Sequence, residues 1–210
     1  MKLPSVLCLF PLAACGLGGG AMRQATLVGQ CNADDVACSR RHPQAPLAIG
    51  TRFFPEVATE LAGTTTPNLR LESADPTVVA VEDGALVAKR QGASAVLIST
   101  DDGSIVDFVH VWVAPVTKIT LARRDGDRIA GAIGLAIGED LTIQPALWNG
   151  AQRLSGDGDA VWTVSNASTL SVLHDGSSDR RRLRARTAGK TTVTVAIGEA
   201  QASVEIEVIQ

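Results

Sequence analysis

Short runs in which apolar and polar residues alternate recur along the chain and predict β-strands. Residues 79–82 and 204–208 follow this pattern, with valine or isoleucine at every second position. A period of two places successive side chains on opposite faces of a sheet. Turn signals such as Asp83-Gly84 and Gly198-Glu199 separate the runs, and no stretch has a convincing amphipathic helical pattern. The chain is therefore predicted to be all-β and built as a β-sandwich.

Two stretches of the chain resemble each other, which indicates an internal duplication. Residues 71–100 (the first repeat) align with residues 162–198 (the second repeat), so that Asp75 matches Asn166 and Gly92 matches Gly189. The offset of 91 to 97 residues is the size of a whole domain and too long for a solenoid repeat. We therefore predict two tandem domains, at residues 45–115 and 116–210.

The repeats also resemble a known family. Asp75-Pro76, the valine-rich strand after it, and Gly92 ahead of the last strands are similar to the bacterial immunoglobulin-like group 2 (BIG2) domain. Trp162 stands at the position of that family's core tryptophan, whereas Leu71 replaces it in the first repeat. The resemblance implies immunoglobulin-like β-sandwiches of the kind that serve as spacers, adhesin segments and accessory modules.

The first 14 residues have the pattern of a targeting segment. A single charge at Lys2 precedes an uncharged, mostly apolar run that ends in Leu-Ala-Ala before Cys15. A run of this length is typical of a signal peptide and is shorter than the ~20 apolar residues of a membrane-spanning helix. The ending resembles the lipobox of bacterial lipoproteins, which implies cleavage before Cys15 and acylation of its thiol. A plain signal peptide followed by a chance cysteine is the alternative.

Residues 15–44 are predicted to form a lipidated tether, because glycines follow Cys15 closely. The tether contains Cys31 and Cys38, which we interpret as a small disulfide loop, since exported proteins meet an oxidising environment. A metal site formed by these cysteines with His42 and an aspartate at 34 or 35 is the alternative. The cysteine spacing is not typical of zinc sites.

Charge and composition narrow the range of functions. The formal net charge of −3 and the scattered arginines argue against a nucleic-acid-binding protein. Aromatic residues make up 3% of the chain, which weakens a sugar-binding interpretation. Trp112 and Trp148 are expected to be core or partly buried residues, like Trp162, rather than a binding platform. Five arginines between 180 and 186 are expected to solvate a sheet edge; an anionic partner such as lipopolysaccharide is the alternative.

The sequence contains no recognisable catalytic or metal-binding constellation. The three histidines are far apart, and His110 lies on a predicted strand with its side chain facing solvent or a satisfied partner. No nucleophile elbow, zinc-protease helix or phosphate-binding loop is present. Aspartate pairs at 101–102, 125–127 and 157–159 suggest either calcium loops or ordinary turns. We therefore assign no catalytic residue, metal or cofactor.

Together these features predict a non-enzymatic, lipid-anchored protein of the bacterial cell envelope. Its immunoglobulin-like domains would serve adhesion, a structural role, or binding of a protein or surface polymer. The resemblance to lipoproteins implies the outer membrane, since Gly16 follows Cys15 in place of the aspartate that resembles an inner-membrane retention signal in enteric bacteria. One alternative is an accessory subunit of a periplasmic or secretion assembly. Another is a small hydrolase or enzyme inhibitor with a site built from loops.

Overall fold

The computed structural model describes residues 25–29, 45–59, 68–158, 160–173 and 180–210. These residues form strands and turns, so the predicted all-β class is confirmed. None of the described segments forms a helix that is long and apolar enough to cross a membrane.

The N-terminal half of the fold, up to residue 114, contains short strands and two long ones. In chain order they are β1 (Ala25–Gly29), β2 (Leu47–Ala48), β3 (Thr51–Phe53), β4 (Pro55–Thr59), β5 (Leu69–Ser73), β6 (Val79–Glu82), β7 (Ala85–Ala88), β8 (Gly92–Thr100) and β9 (Ile105–Ala114).

The C-terminal half, from residue 118, repeats the arrangement with additional short strands. In chain order they are β10 (Lys118–Arg123), β11 (Ile133–Ala136), β12 (Asp140–Asn149), β13 (Gln152–Arg153), β14 (Asp157–Gly158), β15 (Val161–Val164), β16 (Leu170–Leu173), β17 (Arg181–Ala185), β18 (Gly189–Ile197) and β19 (Ala200–Ile209).

Strand order identifies the immunoglobulin topology in the C-terminal half. One sheet runs β10-β12-β17-β16 with β13 attached to β12, and the other runs β11-β19-β18-β15. In the standard nomenclature these are strands A, B, E and D facing strands A′, G, F and C. The parallel pairing of β11 with β19 is the A′–G contact, and the other pairs in these sheets are antiparallel.

The N-terminal half follows the same plan. β2-β9-β8-β5 form one sheet, with β2 parallel to β9, and β3-β7-β6 form the core of the other. Strand B is divided at Phe54 into β3 and β4, and β4 pairs with β1. The buried apolar side chains form two clusters, because each pair of sheets covers its own inner faces. The cluster of the C-terminal half also includes Ala48 and Ala114 of the N-terminal half.

The hydrogen bonds confirm the alignment of the two repeats. The backbone N–H of Asp75 donates to Ser94 Oγ at 2.9 Å, and that of Asn166 donates to Thr191 Oγ1 at 3.1 Å. The carboxylate of Asp75 and the amide oxygen of Asn166 each accept a further bond from the backbone N–H two residues later. The same turn is therefore built twice, although Ala167 replaces the proline of the first repeat.

The prediction of a flexible tether over 15–44 is wrong at residues 25–29. These residues form β1, which pairs with β4 from Ala25–Thr59 to Gly29–Pro55. Leu27 is 0% exposed and belongs to the N-terminal core cluster. Burying a leucine and completing a strand pair outweigh the flexibility that the flanking glycines favour. The ordered N-terminal half thus begins before residue 45, where the sequence pattern placed its start.

Candidate functional site

The predicted lipidation and disulfide positions fall outside the part of the chain that the structure describes. Cys15, Cys31 and Cys38 all lie within residues 1–24 or 30–44. Lipidation at Cys15 and a Cys31–Cys38 bridge therefore stay predictions.

The histidine and aspartate candidates take structural roles where the structure describes them. His110 is exposed on β9, and its ring meets Phe108 edge-on with 5.4 Å between centroids. Asp102 accepts hydrogen bonds from the Thr100 hydroxyl and from the backbone N–H of Ser104, and these bonds lower the pKa of its carboxyl group. Within the described residues, no group of three or more histidine, cysteine or acidic side chains could hold a metal ion.

Three arginines of the cluster, Arg181, Arg182 and Arg184, lie on an inner strand of a sheet rather than on an edge strand. Their strand, β17, has β12 on one side and β16 on the other, so for these three the expectation that the cluster solvates an edge is wrong. Arg184 donates two hydrogen bonds of 2.7 Å to the carboxylate of Asp140, and Arg182 lies 3.5 Å from the same group. The bond from Arg184 holds the pKa of Asp140 below its ordinary value. Part of the cluster is thus engaged in cross-strand pairing.

Backbone hydrogen bonds join the two halves of the fold at a defined junction. The N–H of Ser155 donates to the carbonyl of Pro46, and the N–H of Ala48 donates to the carbonyl of Ser155, both at 2.9 Å. The Ser155 hydroxyl donates to the carbonyl of Ala45 at 2.9 Å. β14 then pairs antiparallel with β3, so a strand of the C-terminal half extends a sheet of the N-terminal half.

Thr51 and two glycines close the packing at this junction. Thr51 is 0% exposed, and its hydroxyl donates to the carbonyl of Ala48 at 2.7 Å. A Cβ added to Gly156 would lie 2.1 Å from Thr51 Oγ1, and one added to Gly158 would lie 3.1 Å from Thr51 Cγ2. Such close approach requires glycine at 156, where φ is also +102°. The backbone at Gly156 and Gly158 therefore lies in van der Waals contact with Thr51, and this contact holds the two halves in one relative orientation.

A cleft of about 430 Å³ opens beside the junction. Trp112 on β9 lines it together with Gly92 and Ala93 from β8, and Gln152 from β13 of the C-terminal half lines another part. Trp112 is 50% exposed, so it is partly buried and half of its surface is open to solvent. The volume is within the range of small-molecule sites, roughly 300–1,000 Å³.

The cleft offers polar groups and carries no charge. Besides Trp112, the side chains of Gln91 and Gln152 line it and are exposed. Trp148, which lies outside the cleft, differs from Trp112 in that its ring is already engaged within the fold. Its indole N–H donates to Thr120 Oγ1 at 2.9 Å, and Arg153 stacks on its ring at 5.4 Å. None of the described residues that line the cleft is acidic or basic. The cleft thus combines an aromatic face with two amides.

Sequence reasoning missed this cleft, although part of the signal was present. Trp112 stands between Val111 and Val113, both buried, so the period of two directs its side chain to the opposite face of β9. The pattern does not predict that Gln152 lies beside the same cleft as Trp112, because this depends on how the two halves meet.

Comparison with known proteins returned solved structures alone. No family model matches the chain, and no curated protein matches it. A structure of domains 4 and 5 of the S-layer protein SbsC is 19% identical, with 75% of this chain and 83% of that chain covered and a TM-score of 0.33. A 282-residue C-terminal fragment of intimin, solved with the intimin-binding domain of its translocated receptor, is 14% identical over 87% and 56% of the two chains, with a TM-score of 0.31.

A third solved structure, the Escherichia coli adhesin FdeC, is 14% identical over 76% of this chain and 60% of that chain, with a TM-score of 0.31. This chain therefore spans less than two thirds of the intimin and FdeC chains that it matches. The three proteins are S-layer or adhesin structures. At these TM-scores they carry no argument about function, and the fold assignment rests on the strand order described above.

Proposed function

We propose that this chain is a non-enzymatic, lipid-anchored protein of the bacterial envelope that presents two tandem immunoglobulin-like domains for binding. The proposal divides the chain into a signal peptide at 1–14, a lipidated linker, and two BIG2-like domains. The linker is interrupted by β1, so the first domain includes residues 25–29 as its first strand. The second domain retains the boundaries 116–210.

The observation that carries the proposal is the packed junction between the two halves. Immunoglobulin-like domains in one chain are free to move relative to each other unless their interface is specific. Here Ser155, the β3–β14 pair and the Thr51–Gly156 contact fix one orientation. A fixed pair of domains holds the surfaces of the two halves in a constant orientation relative to each other, which suits presentation to a partner.

The titratable side chains of the described residues serve the fold, which is consistent with a binding role. Within the described residues, the carboxyl groups with lowered pKa values, such as those of Asp75, Glu82 and Asp140, are held by turn or cross-strand contacts, and burial lowers the pKa of Arg153. Each of these carboxylates stabilises a strand or turn of the fold. Perturbed groups that serve chemistry are instead gathered in one cleft.

Membrane anchoring is tested by fractionating cells that express the wild-type protein or Cys15→Ala. We expect the wild type in the membrane fraction and the variant in the soluble fraction, because acyl chains on Cys15 supply the anchor. Cys31→Ala is the matched control, since it removes a cysteine outside the lipobox. Membrane retention of Cys15→Ala would contradict lipidation at this residue.

The side of the membrane that the protein faces is tested by protease shaving of intact cells, with a periplasmic protein as control. Digestion of this protein while the control survives supports adhesion or a surface-structural role. Survival until the outer membrane is opened favours the second candidate, an accessory subunit of a periplasmic assembly. The strand-edge surfaces of immunoglobulin-like domains suit either partner.

The Cys31–Cys38 disulfide is part of the same proposal. Its formation would close a small loop directly after β1 and limit the freedom of the chain there, at about 2–3 kcal/mol on the loop-closure model. Mass measurement after alkylation, with and without reductant, tests the bridge on protein from the native compartment. Two thiols that react without reductant would contradict it.

A further inference from the structure

We propose that the cleft at the junction binds a neutral saccharide, with Trp112 as the stacking surface and the amides of Gln91 and Gln152 as hydrogen-bonding groups. The inference rests on the proposed binding role of this protein and names the chemical class of the ligand. It concerns a single site whose lining comes from both halves of the fold.

The aromatic face is the first argument. Trp112 is 50% exposed and lines the cleft together with Gly92 and Ala93, two residues with little or no side chain. Small neighbours leave the ring accessible to a flat, rigid ligand. Indole rings combine a large apolar surface with an N–H donor, which fits a ligand that has both apolar C–H faces and hydroxyl groups.

The polar lining is the second argument. Gln91 and Gln152 each offer two N–H donors and one carbonyl acceptor, and a sugar hydroxyl is both donor and acceptor. No hydrogen bond within the described residues engages either amide side chain or the Trp112 indole N–H, so all three are available to a ligand. A paired amide and hydroxyl satisfy each other without placing a charge in the cleft.

The absence of charge in the lining is the third argument. The described residues of the cleft include no arginine, lysine, aspartate or glutamate. An anionic glycan, a phosphate or a charged peptide would lose hydration there without gaining an ion pair, which costs free energy. A neutral saccharide meets no such penalty. Its cyclic faces stack, and its hydroxyls replace the water that the amides hold.

The site depends on the junction, because Gln152 belongs to β13 while Trp112 and Gln91 belong to the N-terminal half. A single immunoglobulin-like domain would present the tryptophan on an open surface. The fixed orientation of the two halves converts that surface into an open cleft of about 430 Å³, large enough to accommodate about one or two sugar rings.

The test measures binding of neutral oligosaccharides to the full exported chain carrying Cys15→Ala, which avoids detergent. The probes are maltohexaose and cellohexaose, with a charged hexuronate oligomer and a proline-rich peptide as alternatives, and the readouts are titration calorimetry and tryptophan fluorescence. We expect a neutral hexaose to bind and the hexuronate to bind at least about tenfold more weakly.

Variants locate the site. Trp112→Ala is expected to weaken binding about tenfold or more, Trp112→Phe less, and Gln152→Ala by about three- to tenfold. Ile105→Ala is the matched control, because Ile105 is 53% exposed on the same strand but lies outside the cleft. Urea midpoints for each variant separate loss of binding from loss of fold. If Trp112→Ala unfolds, the loss of binding in Gln152→Ala locates the site instead.

Three outcomes would overturn the inference: no binding of either neutral hexaose, equal losses in Ile105→Ala and Trp112→Ala, or preferential binding of the peptide. These outcomes are distinguishable from failure of the proposed function. A surface-exposed, lipid-anchored protein that binds no saccharide leaves the presentation role intact. A saccharide-binding protein that is released from membranes with or without Cys15 overturns the anchoring instead.

Discussion

Replacing Gly156 by alanine is the sharpest test of the junction. The new Cβ would lie 2.1 Å from Thr51 Oγ1 and 2.8 Å from Thr51 Cβ, well inside the ~3.5 Å at which nonbonded atoms make favourable contact. Thr51 is fully buried and donates to the carbonyl of Ala48, so it has little room to withdraw. Either the threonine rotates and loses that bond, or β3 and β14 separate.

The size of the effect follows from two contributions. A φ of +102° strains any residue with a Cβ by about 1–2 kcal/mol. Overpacking against Thr51 adds about 1–3 kcal/mol. We therefore expect Gly156→Ala to lower the free energy of unfolding by about 2–5 kcal/mol, and we expect part of the loss to appear as weaker coupling between the two halves.

The assay is urea unfolding followed by tryptophan fluorescence, with Gly126→Ala as the matched control. Gly126 has a φ of +91°, and an added Cβ there would meet nothing within 4 Å, so this variant reports the backbone contribution alone. The double variant Thr51→Ala/Gly156→Ala removes the Oγ1 contact and should recover part of the loss. Equal destabilisation by Gly156→Ala and Gly126→Ala would refute the steric argument.

Two further predictions concern the N-terminal strand and the cross-strand ion pair. Leu27→Ala should lower the free energy of unfolding by about 2–5 kcal/mol, because Leu27 is fully buried in the N-terminal core; an unchanged urea midpoint would contradict the ordering of β1. Arg184 holds the pKa of Asp140 below its ordinary 3.8, so the stability that this pair contributes is present above that value and is lost as the pH falls through the lowered pKa. In thermal melts at stepped pH, Asp140→Asn should show a smaller loss of stability than the wild type in this acidic range, and parallel curves would contradict the assignment.

Local patterns predicted the strands and turns of the repeats because their signals lie within a few residues. Asp83 and Gly84 have φ values of 51° and 76°, which is the conformation that the Asp-Gly pair favours in a hairpin. Gly198, with φ of 58°, turns the chain between β18 and β19 in the same way. These positions need no information from the rest of the chain.

The features that sequence reasoning missed depend on distant pairing. β1 is five residues long and lies outside both repeats, and its partner β4 is separated from it by more than twenty residues. The burial of Leu27 in the N-terminal core becomes visible only in the fold. The cleft was missed for the same reason, since Gln152 is forty residues from Trp112 along the chain.

The parallel pairing of β11 with β19 determines how the molecule bears a mechanical load. A protein anchored near its N-terminus and pulled through its C-terminal end would draw β11 and β19 in opposite directions along their length. Because the strands run parallel from Ile133–Ile206 to Ala136–Ile209, the hydrogen bonds between them would be sheared together rather than opened one at a time. β2 and β9 have the same geometry in the N-terminal half. Each half therefore contains one parallel strand pair that would resist extension in shear.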